Sequence, residues 1–123
     1  MHTFRLWLAL LIVYIFPVHM YKSIESEKIA DLMATGLITI IDIRDPVSFE
    51  TSHLKNAQHI NDTNVEDFVR EAKFDEKLLV YCYHGNASQS AAAYFEEQGF
   101  TDVYHLIGGF AAWQENGLPT DPE

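Results

Sequence analysis

Short apolar runs alternate along this chain with longer stretches in which apolar residues recur every three or four positions. The runs 37–41 and 77–81 are almost continuously apolar, which is typical of strands buried on both faces of a sheet. Two weaker runs predict shorter strands at 57–60 and 101–106. The pattern therefore predicts at least four strands separated by helical segments.

End signals and helical spacing place the predicted helices between these strands. Ser26 is the expected N-cap of the first helix, in which Ile29, Leu32 and Met33 form the apolar face before Gly36. The other helices are expected from Asp45 and Pro46 to Phe49, from Thr63 through Val65, Phe68 and Val69, over 88–98, and from Phe110 to Asn116 after Gly108 and Gly109.

Strands that alternate with helices predict a mostly parallel sheet covered by helices on both faces. The expected fold class is therefore α/β, as a three-layer domain that comprises residues 20–123. Its chemistry is expected where the carboxyl ends of the strands meet, because open α/β sheets bind ligands there.

Residues 1–19 are treated separately from this domain. Arg5 precedes an apolar segment, Leu6–Val18, whose thirteen residues fall short of the about 20 that a helix needs to span a bilayer. The segment resembles a secretory signal but lacks the small-residue cleavage site. It is an uncleaved anchor, a signal with a poor site, or upstream codons joined to a gene that starts at Met20, and we favour the last.

Composition and charge narrow the range of partners. The 123 residues are 48% hydrophobic and 21% charged, which describes one folded domain, and the net charge of −10 disfavours nucleic acid and anionic membranes. A single cysteine excludes an intramolecular disulfide and a Cys-x-x-Cys motif. The six histidines lack zinc-ligand spacing, so no metal is expected.

The single cysteine lies in a loop between the strand 77–81 and the helix 88–98. A thiol that faces a helix amino terminus is stabilised as an anion by the helix dipole and by unpaired backbone N–H groups. Gly85 and Asn86 tolerate positive φ, so we expect consecutive N–H groups to turn inward around the Cys82 sulfur. Such a cradle suits a thiolate, a persulfide or a bound oxyanion.

Three segments together resemble the rhodanese family, in its small single-domain bacterial form. They are Asp42-Ile43-Arg44-Asp45-Pro46, Cys82-Tyr83-His84-Gly85-Asn86 and Gly108-Gly109-Phe110-Ala111-Ala112-Trp113. The resemblance covers residues 20–123 and implies a rhodanese-like fold and thiosulfate sulfurtransferase activity. It implies that Cys82 takes the outer sulfur of thiosulfate, releases sulfite, and passes the sulfur to cyanide in vitro or to thiols and dithiols such as reduced thioredoxin.

The resemblance also implies which residues form the site. Cys82 is the catalytic residue, no metal, nucleotide or organic cofactor is implied, and the location is cytoplasmic unless residues 1–19 anchor or export the chain. Asp42 is read as a structural carboxylate, and Arg44 either contacts substrate or pairs with a neighbouring acid. The expected substrate-binding residues are Tyr83, His84, Gly85, Asn86, Ala87, Ser88 and Arg44, with His84 the only candidate cation of the loop.

Two alternatives differ in class. A Cys-x5-Arg phosphatase needs an arginine fork six residues after the cysteine, and that position is Ser88. A persulfide relay module would use the same loop to accept sulfur from another protein. Ala87 and Gln89 favour the relay reading, because relatives have a polar or cationic side chain at these positions and their loss weakens the attraction for thiosulfate.

Overall fold

The computed structural model describes residues 20–122, so the interpretation of residues 1–19 and the end of the domain at residue 123 lie outside it. The helices are α1 (Ser26–Ala34), α2 (Pro46–Thr51), α3 (Val65–Glu71), α4 (Ala87–Gln98) and α5 (Gly109–Glu115). The strands are β1 (Lys22–Ile24), β2 (Ile38–Asp42), β3 (His53–Leu54), β4 (Gln58–His59), β5 (Lys77–Tyr81), β6 (Val103–Leu106) and β7 (Thr120–Asp121). Across 20–122, no helix is long and apolar enough to cross a membrane.

Five strands form one sheet in the order β1-β6-β5-β2-β4, and every neighbouring pair is parallel. β5 is the middle strand and pairs along its whole length with β2. Its last four residues are buried, as an apolar strand covered on both faces requires. The expected α/β fold with a parallel sheet is confirmed.

Helices cover both faces of the sheet and define two apolar cores. On one face, Leu79 and Tyr81 pack with Ile29 of α1 and with Phe110 and Trp113 of α5. The other face packs against α3 and α4; its buried members include Ile41, Leu78, Val80, Val103, Ala92 and Phe95. Adjacent residues of β5 thus serve opposite cores, since side chains alternate along a strand. This places residues that follow β5 between the amino termini of α4 and α5.

Three short strands were not predicted. β1 adds an edge to the sheet beside β6, and β3 pairs antiparallel with β7 near the carboxyl terminus. Two- and three-residue strands lack a measurable periodicity, and their pairing depends on distant segments. The first predicted strand is displaced by one residue, because Leu37 is 80% exposed and Asp42 is fully buried at the strand end.

The residues that cap the helices agree with the sequence-based prediction for α2 but not for α1. Asp45 caps α2 as predicted, accepting a hydrogen bond from the Ser48 backbone N–H at 2.9 Å, with Pro46 in the first turn. The prediction for Ser26 is wrong: it lies inside α1, buried, and its hydroxyl accepts a hydrogen bond from Asn116 instead.

The prediction that Thr63 caps α3 is also wrong, since Asn64 occupies that position. The Thr63 hydroxyl donates to the Asn61 side chain at 2.6 Å, and the Asn61 backbone N–H donates to the Asn64 side chain at 2.8 Å. Short polar side chains here form a turn with one another, which competes with capping of the helix.

Candidate active site

Cys82 lies directly after the middle strand, at the carboxyl end of the sheet. Its side chain is buried, with 7% of the residue exposed, and α4 begins five residues later at Ala87. The sulfur therefore lies at the end of a parallel sheet and at a helix amino terminus, two features that favour a bound or covalent anion.

Two backbone N–H groups donate hydrogen bonds to the Cys82 sulfur. The donor nitrogens belong to Gly85, at 3.1 Å from Sγ, and to Ser88, at 3.3 Å. Gly85 and Asn86 both tolerate positive φ, but only Gly85 adopts it, with φ of 94°, whereas Asn86 has φ of −89°. One left-handed residue suffices to turn the chain, and Asn86 then enters the helix with ordinary right-handed geometry.

These donors set the acidity of the thiol. Burial raises the pKa of Cys82, but hydrogen bonds from the Ser88 side chain and from the backbone N–H groups of Ser88, Gly85 and His84 outweigh it. The resulting pKa lies below that of an ordinary thiol, so the loop favours the thiolate form of the sulfur.

The opposite side of the loop backbone is held by α5. The N–H groups of Phe110 and Ala111 donate to the carbonyls of Cys82 and Tyr83, at 2.9 and 3.0 Å. The first turn of a helix has N–H groups without intrahelical partners, and here the loop supplies the acceptors. Because its carbonyls point to α5, the loop can direct its N–H groups to the sulfur.

This contact requires glycine at position 109. Gly109 has φ of 60°, and a Cβ built on it would lie 2.5 Å from the Cys82 carbonyl oxygen and 2.6 Å from the Tyr83 carbonyl carbon. We expect Gly109→Ala to displace the loop and to lower kcat/KM for the sulfur transfer that the resemblance implies by about 100-fold, as displacements near 1 Å do at reacting groups. The measurement is steady-state cyanolysis with thiosulfate.

Gly117→Ala is the matched control for this prediction. Gly117 has a similar φ of 64°, but a Cβ there would meet nothing within 4 Å. Both variants carry the conformational cost of alanine in the left-handed region, about 1–2 kcal/mol, and only Gly109→Ala adds the clash. Equal activities in the two variants would show that the contact between α5 and the loop does not matter for catalysis.

The remaining predicted loop residues surround the sulfur in different ways. The side chains of Tyr83 and His84 are exposed and contact each other, with ring centroids 4.5 Å apart. Asn86 and Ala87 are also exposed, whereas Ser88 is fully buried. The structure therefore places Gly85 and Ser88 directly on the sulfur and Tyr83 and His84 at the outer surface of the loop.

Arg44 is committed to a buried network on the α5 side of the sheet. Its Nε and Nη2 donate to the Asp42 carboxylate at 2.7–3.1 Å, Nη2 also donates to the Ser52 carbonyl at 2.6 Å, and its side chain is 5% exposed. Tyr81 donates its hydroxyl to Asp42 at 2.6 Å, and the guanidinium lies 3.9 Å from the centroid of the Phe110 ring. These contacts give Arg44 and Asp42 a structural role, and contact of Arg44 with substrate stays a prediction.

Two further residues were missed by sequence reasoning. The Gln89 side-chain amide donates to the Gly85 carbonyl at 3.0 Å and so supports the turn, whereas from the sequence Gln89 was only the replacement of a cation. His105, on β6, lies 3.2 Å through Nδ1 from the Ser88 hydroxyl. Nothing local signals its place, because 17 residues separate it from Ser88.

Comparisons with known proteins point to one family. The profile of the Rhodanese-like domain matches residues 25–116. Two relatives named thiosulfate sulfurtransferase GlpE, from Pseudomonas aeruginosa and Pseudomonas syringae pv. syringae, are 48% and 46% identical over 94 residues. These alignments cover 76% of this chain and 84% and 88% of the relatives.

Solved structures share the fold. A rhodanese-related protein from Thermoplasma volcanium has a TM-score of 0.72 at 25% identity, with 84% of this chain and 100% of that chain covered. The solution structure of a rhodanese-like domain from Anabaena has a TM-score of 0.73 at 23% identity, with 83% and 80% covered.

A parallel α/β domain with an anion-stabilising loop after its middle strand has the architecture of proteins that bind or carry an anion at this end of the sheet. The profile match and the relatives then narrow the class: the chain belongs to the rhodanese family. It is an enzyme of the rhodanese type, a sulfurtransferase, as the sequence predicted.

Proposed function

We propose that this rhodanese is a thiosulfate sulfurtransferase in which Cys82 carries the transferred sulfur as a persulfide. The observation that carries the proposal is the pair of N–H groups, from Gly85 and Ser88, that donate to the cysteine sulfur. Similarity to relatives named thiosulfate sulfurtransferase supports thiosulfate as the donor.

The chemistry needs no oxidant or cofactor. The Cys82 thiolate attacks the outer sulfur of thiosulfate, a bond from Sγ to that sulfur forms, and the S–S bond of thiosulfate breaks. Sulfite leaves with the electron pair. Cyanide, or a thiol or dithiol such as reduced thioredoxin, then attacks the outer sulfur, and Sγ returns as the thiolate. Donors that stabilise the thiolate also stabilise the negatively charged terminal sulfur of the persulfide.

The same loop is a poor site for phosphate esters. Six residues after the cysteine, where bidentate recognition of equatorial oxygens needs arginine, the chain has the buried Ser88. Arg44, which follows β2, is engaged with Asp42 and the Ser52 carbonyl. These contacts favour sulfur transfer over phosphoryl hydrolysis.

A relay role is the second candidate. Ala87 presents no polar group at the amino terminus of α4, and Gln89 is bonded to the Gly85 carbonyl, so attraction for a free dianion rests on backbone N–H groups and His84. A high KM for thiosulfate together with fast transfer from a protein persulfide would favour the relay. A low KM for thiosulfate would favour the direct enzyme.

The proposal is tested by intact mass measurement after brief incubation with thiosulfate and removal of excess reagent. We expect one added sulfur atom per chain, removed by cyanide with release of thiocyanate. Peptide mapping should place the sulfur on Cys82, the only cysteine. An unchanged mass, with thiocyanate still produced during turnover, would exclude the covalent intermediate.

A cytoplasmic location is part of the proposal. A reduced cysteine is required for turnover, and reducing compartments maintain it. Fractionation of cells that express the full chain, with immunodetection in the cytoplasmic and membrane fractions, tests this location.

A further inference from the structure

A buried histidine lies behind the active-site loop. His105 is 4% exposed, and its two ring nitrogens are each within hydrogen-bond distance of a serine hydroxyl. Nδ1 lies 3.2 Å from the Oγ of Ser88, and Nε2 lies 3.0 Å from the Oγ of Ser23. The Ser88 backbone N–H donates to the Cys82 sulfur at 3.3 Å, and the Ser88 side chain is also a hydrogen-bond partner that lowers the pKa of the thiol. Ser23, His105, Ser88 and Cys82 thus form one connected line from β1 to the sulfur.

The sheet register builds this line. Ser23 of β1, His105 of β6 and Val80 of β5 are adjacent in register, so their side chains lie on the same face of the sheet. Ser88, in the first turn of α4, covers that face and lies between the imidazole and the sulfur. The Tyr21 ring packs edge-on against the imidazole, with the two ring centroids 5.7 Å apart.

The hydrogen positions on Ser88, His105 and Ser23 depend on one another. A hydroxyl has one hydrogen, so Ser88 donates either to the Cys82 sulfur or to Nδ1 of His105, but not to both. When Ser88 donates to the sulfur, Nδ1 must carry a hydrogen and donate to the Ser88 oxygen, and Nε2 then accepts from Ser23. When Nε2 carries the hydrogen, Nδ1 accepts from Ser88 and the sulfur loses that donor.

The imidazole is kept neutral in this position. Burial lowers the pKa of His105, and the groups that face it are Ser23 from β1, Ser88 from α4, Val80 from β5 and the Tyr21 ring. A neutral imidazole carries one ring hydrogen, and its neighbours decide which nitrogen holds it.

We propose that His105 is a positioning residue: as the Nδ1–H tautomer it directs the Ser88 hydroxyl hydrogen to the Cys82 sulfur whenever that sulfur is anionic. The extension to the persulfide rests on the proposed function, whereas the thiolate form of the proposal does not. The tautomer of His105 thus follows the charge on the sulfur, and the histidine contributes to the nucleophile without touching substrate.

Nitrogen-15 NMR of the histidine ring nitrogens in the full-length reduced protein tests the tautomer directly. Spectra are taken below and above the pH midpoint at which Cys82 becomes a thiolate. We expect the His105 Nδ1 signal to take the protonated-nitrogen position in the thiolate state, and the Nε2 signal the bare-nitrogen position. Cys82→Ser should show no such dependence. An Nε2–H tautomer in the thiolate state would overturn the proposal.

Two replacements of His105 show whether the residue directs the Ser88 hydroxyl or only fills space in the core. In His105→Asn the side-chain amide can occupy the place of Nδ1 and donate to Ser88, whereas in His105→Gln the longer side chain brings its amide to the place of Nε2. We expect alkylation of Cys82 by iodoacetamide at a pH below the midpoint to be about tenfold slower in His105→Gln, since a hydrogen bond to the charged sulfur is lost. His105→Asn should stay within about threefold of the native rate.

Above the midpoint all three rates should converge, because the thiolate is then fully formed in each protein. Equal slowing in the Asn and Gln variants below the midpoint would assign His105 a filling role and overturn the proposal. If either variant fails to fold by circular dichroism, the NMR result on the native protein decides. Neither measurement uses thiosulfate, so failure here is distinguishable from failure to form the persulfide.

Discussion

Cys82→Ser is expected to abolish sulfur transfer, with kcat for cyanolysis of thiosulfate reduced by about a thousandfold or more. A serine hydroxyl does not ionise at neutral pH, so the N–H groups of Gly85 and Ser88 have no anion to stabilise and no nucleophile forms. The measurement is thiocyanate formation at saturating thiosulfate and cyanide, with intact mass before and after exposure to thiosulfate.

The stability of Cys82→Ser shows whether a loss of activity is due to unfolding. Serine is slightly smaller than cysteine and occupies a site that already has hydrogen-bond donors, so we expect a thermal unfolding midpoint close to that of the native protein. Thiocyanate formation at the native rate by a folded Cys82→Ser protein would exclude Cys82 as the sulfur carrier.

Asp42→Asn is expected to have the largest effect on stability. The Asp42 carboxylate is fully buried and accepts hydrogen bonds from Arg44 and from the Tyr81 hydroxyl. Neutralising it leaves the guanidinium buried without its counter-charge, a change that typically costs about 3–5 kcal/mol. The free energy of unfolding in urea measures the loss.

Two variants serve as controls for Asp42→Asn. Asp67→Asn makes the same substitution in an ion pair with Arg70 in which both side chains are about 70% exposed, and we expect a cost below about 1 kcal/mol. Tyr81→Phe removes only the hydroxyl that bridges Asp42 and the Leu54 N–H, at about 1–3 kcal/mol. A loss in Asp42→Asn no larger than in Asp67→Asn would mean that the buried pair contributes little.

The longer elements of the fold are predictable from sequence because their signals are local. β5 matches the predicted run 77–81, and α4 begins one residue before the predicted 88 and ends at the predicted 98. Asp45 caps α2 as expected. The cap predictions for Ser26 and Thr63 were wrong because the hydroxyl of serine or threonine and the amide of asparagine each have several hydrogen-bond partners within reach. One of these partners, Asn116 for Ser26, lies far away in sequence and could not be found from the local pattern.

The candidate site was predictable in part. Its cysteine and glycine turn are contiguous in sequence, so the sulfur and the Gly85 and Ser88 donors could be anticipated together. The φ of Asn86 could not be predicted, because a residue that tolerates left-handed backbone geometry need not adopt it. The close contact between Gly109 and the cysteine loop could not be predicted either, because the position of β6 beside β5 in the sheet brings the two segments together.

Local sequence patterns are enough to establish the parallel α/β class, the position of Cys82 between a buried strand and a helix, and the loop whose N–H groups face the sulfur. These follow from apolar spacing and turn residues within a few positions of one another. The contacts of the Tyr81 hydroxyl with Asp42 and of His105 with Ser88 are set by the tertiary structure alone. Those contacts depend on strand order and register, which bring together side chains from distant segments whose local patterns contain no information about each other.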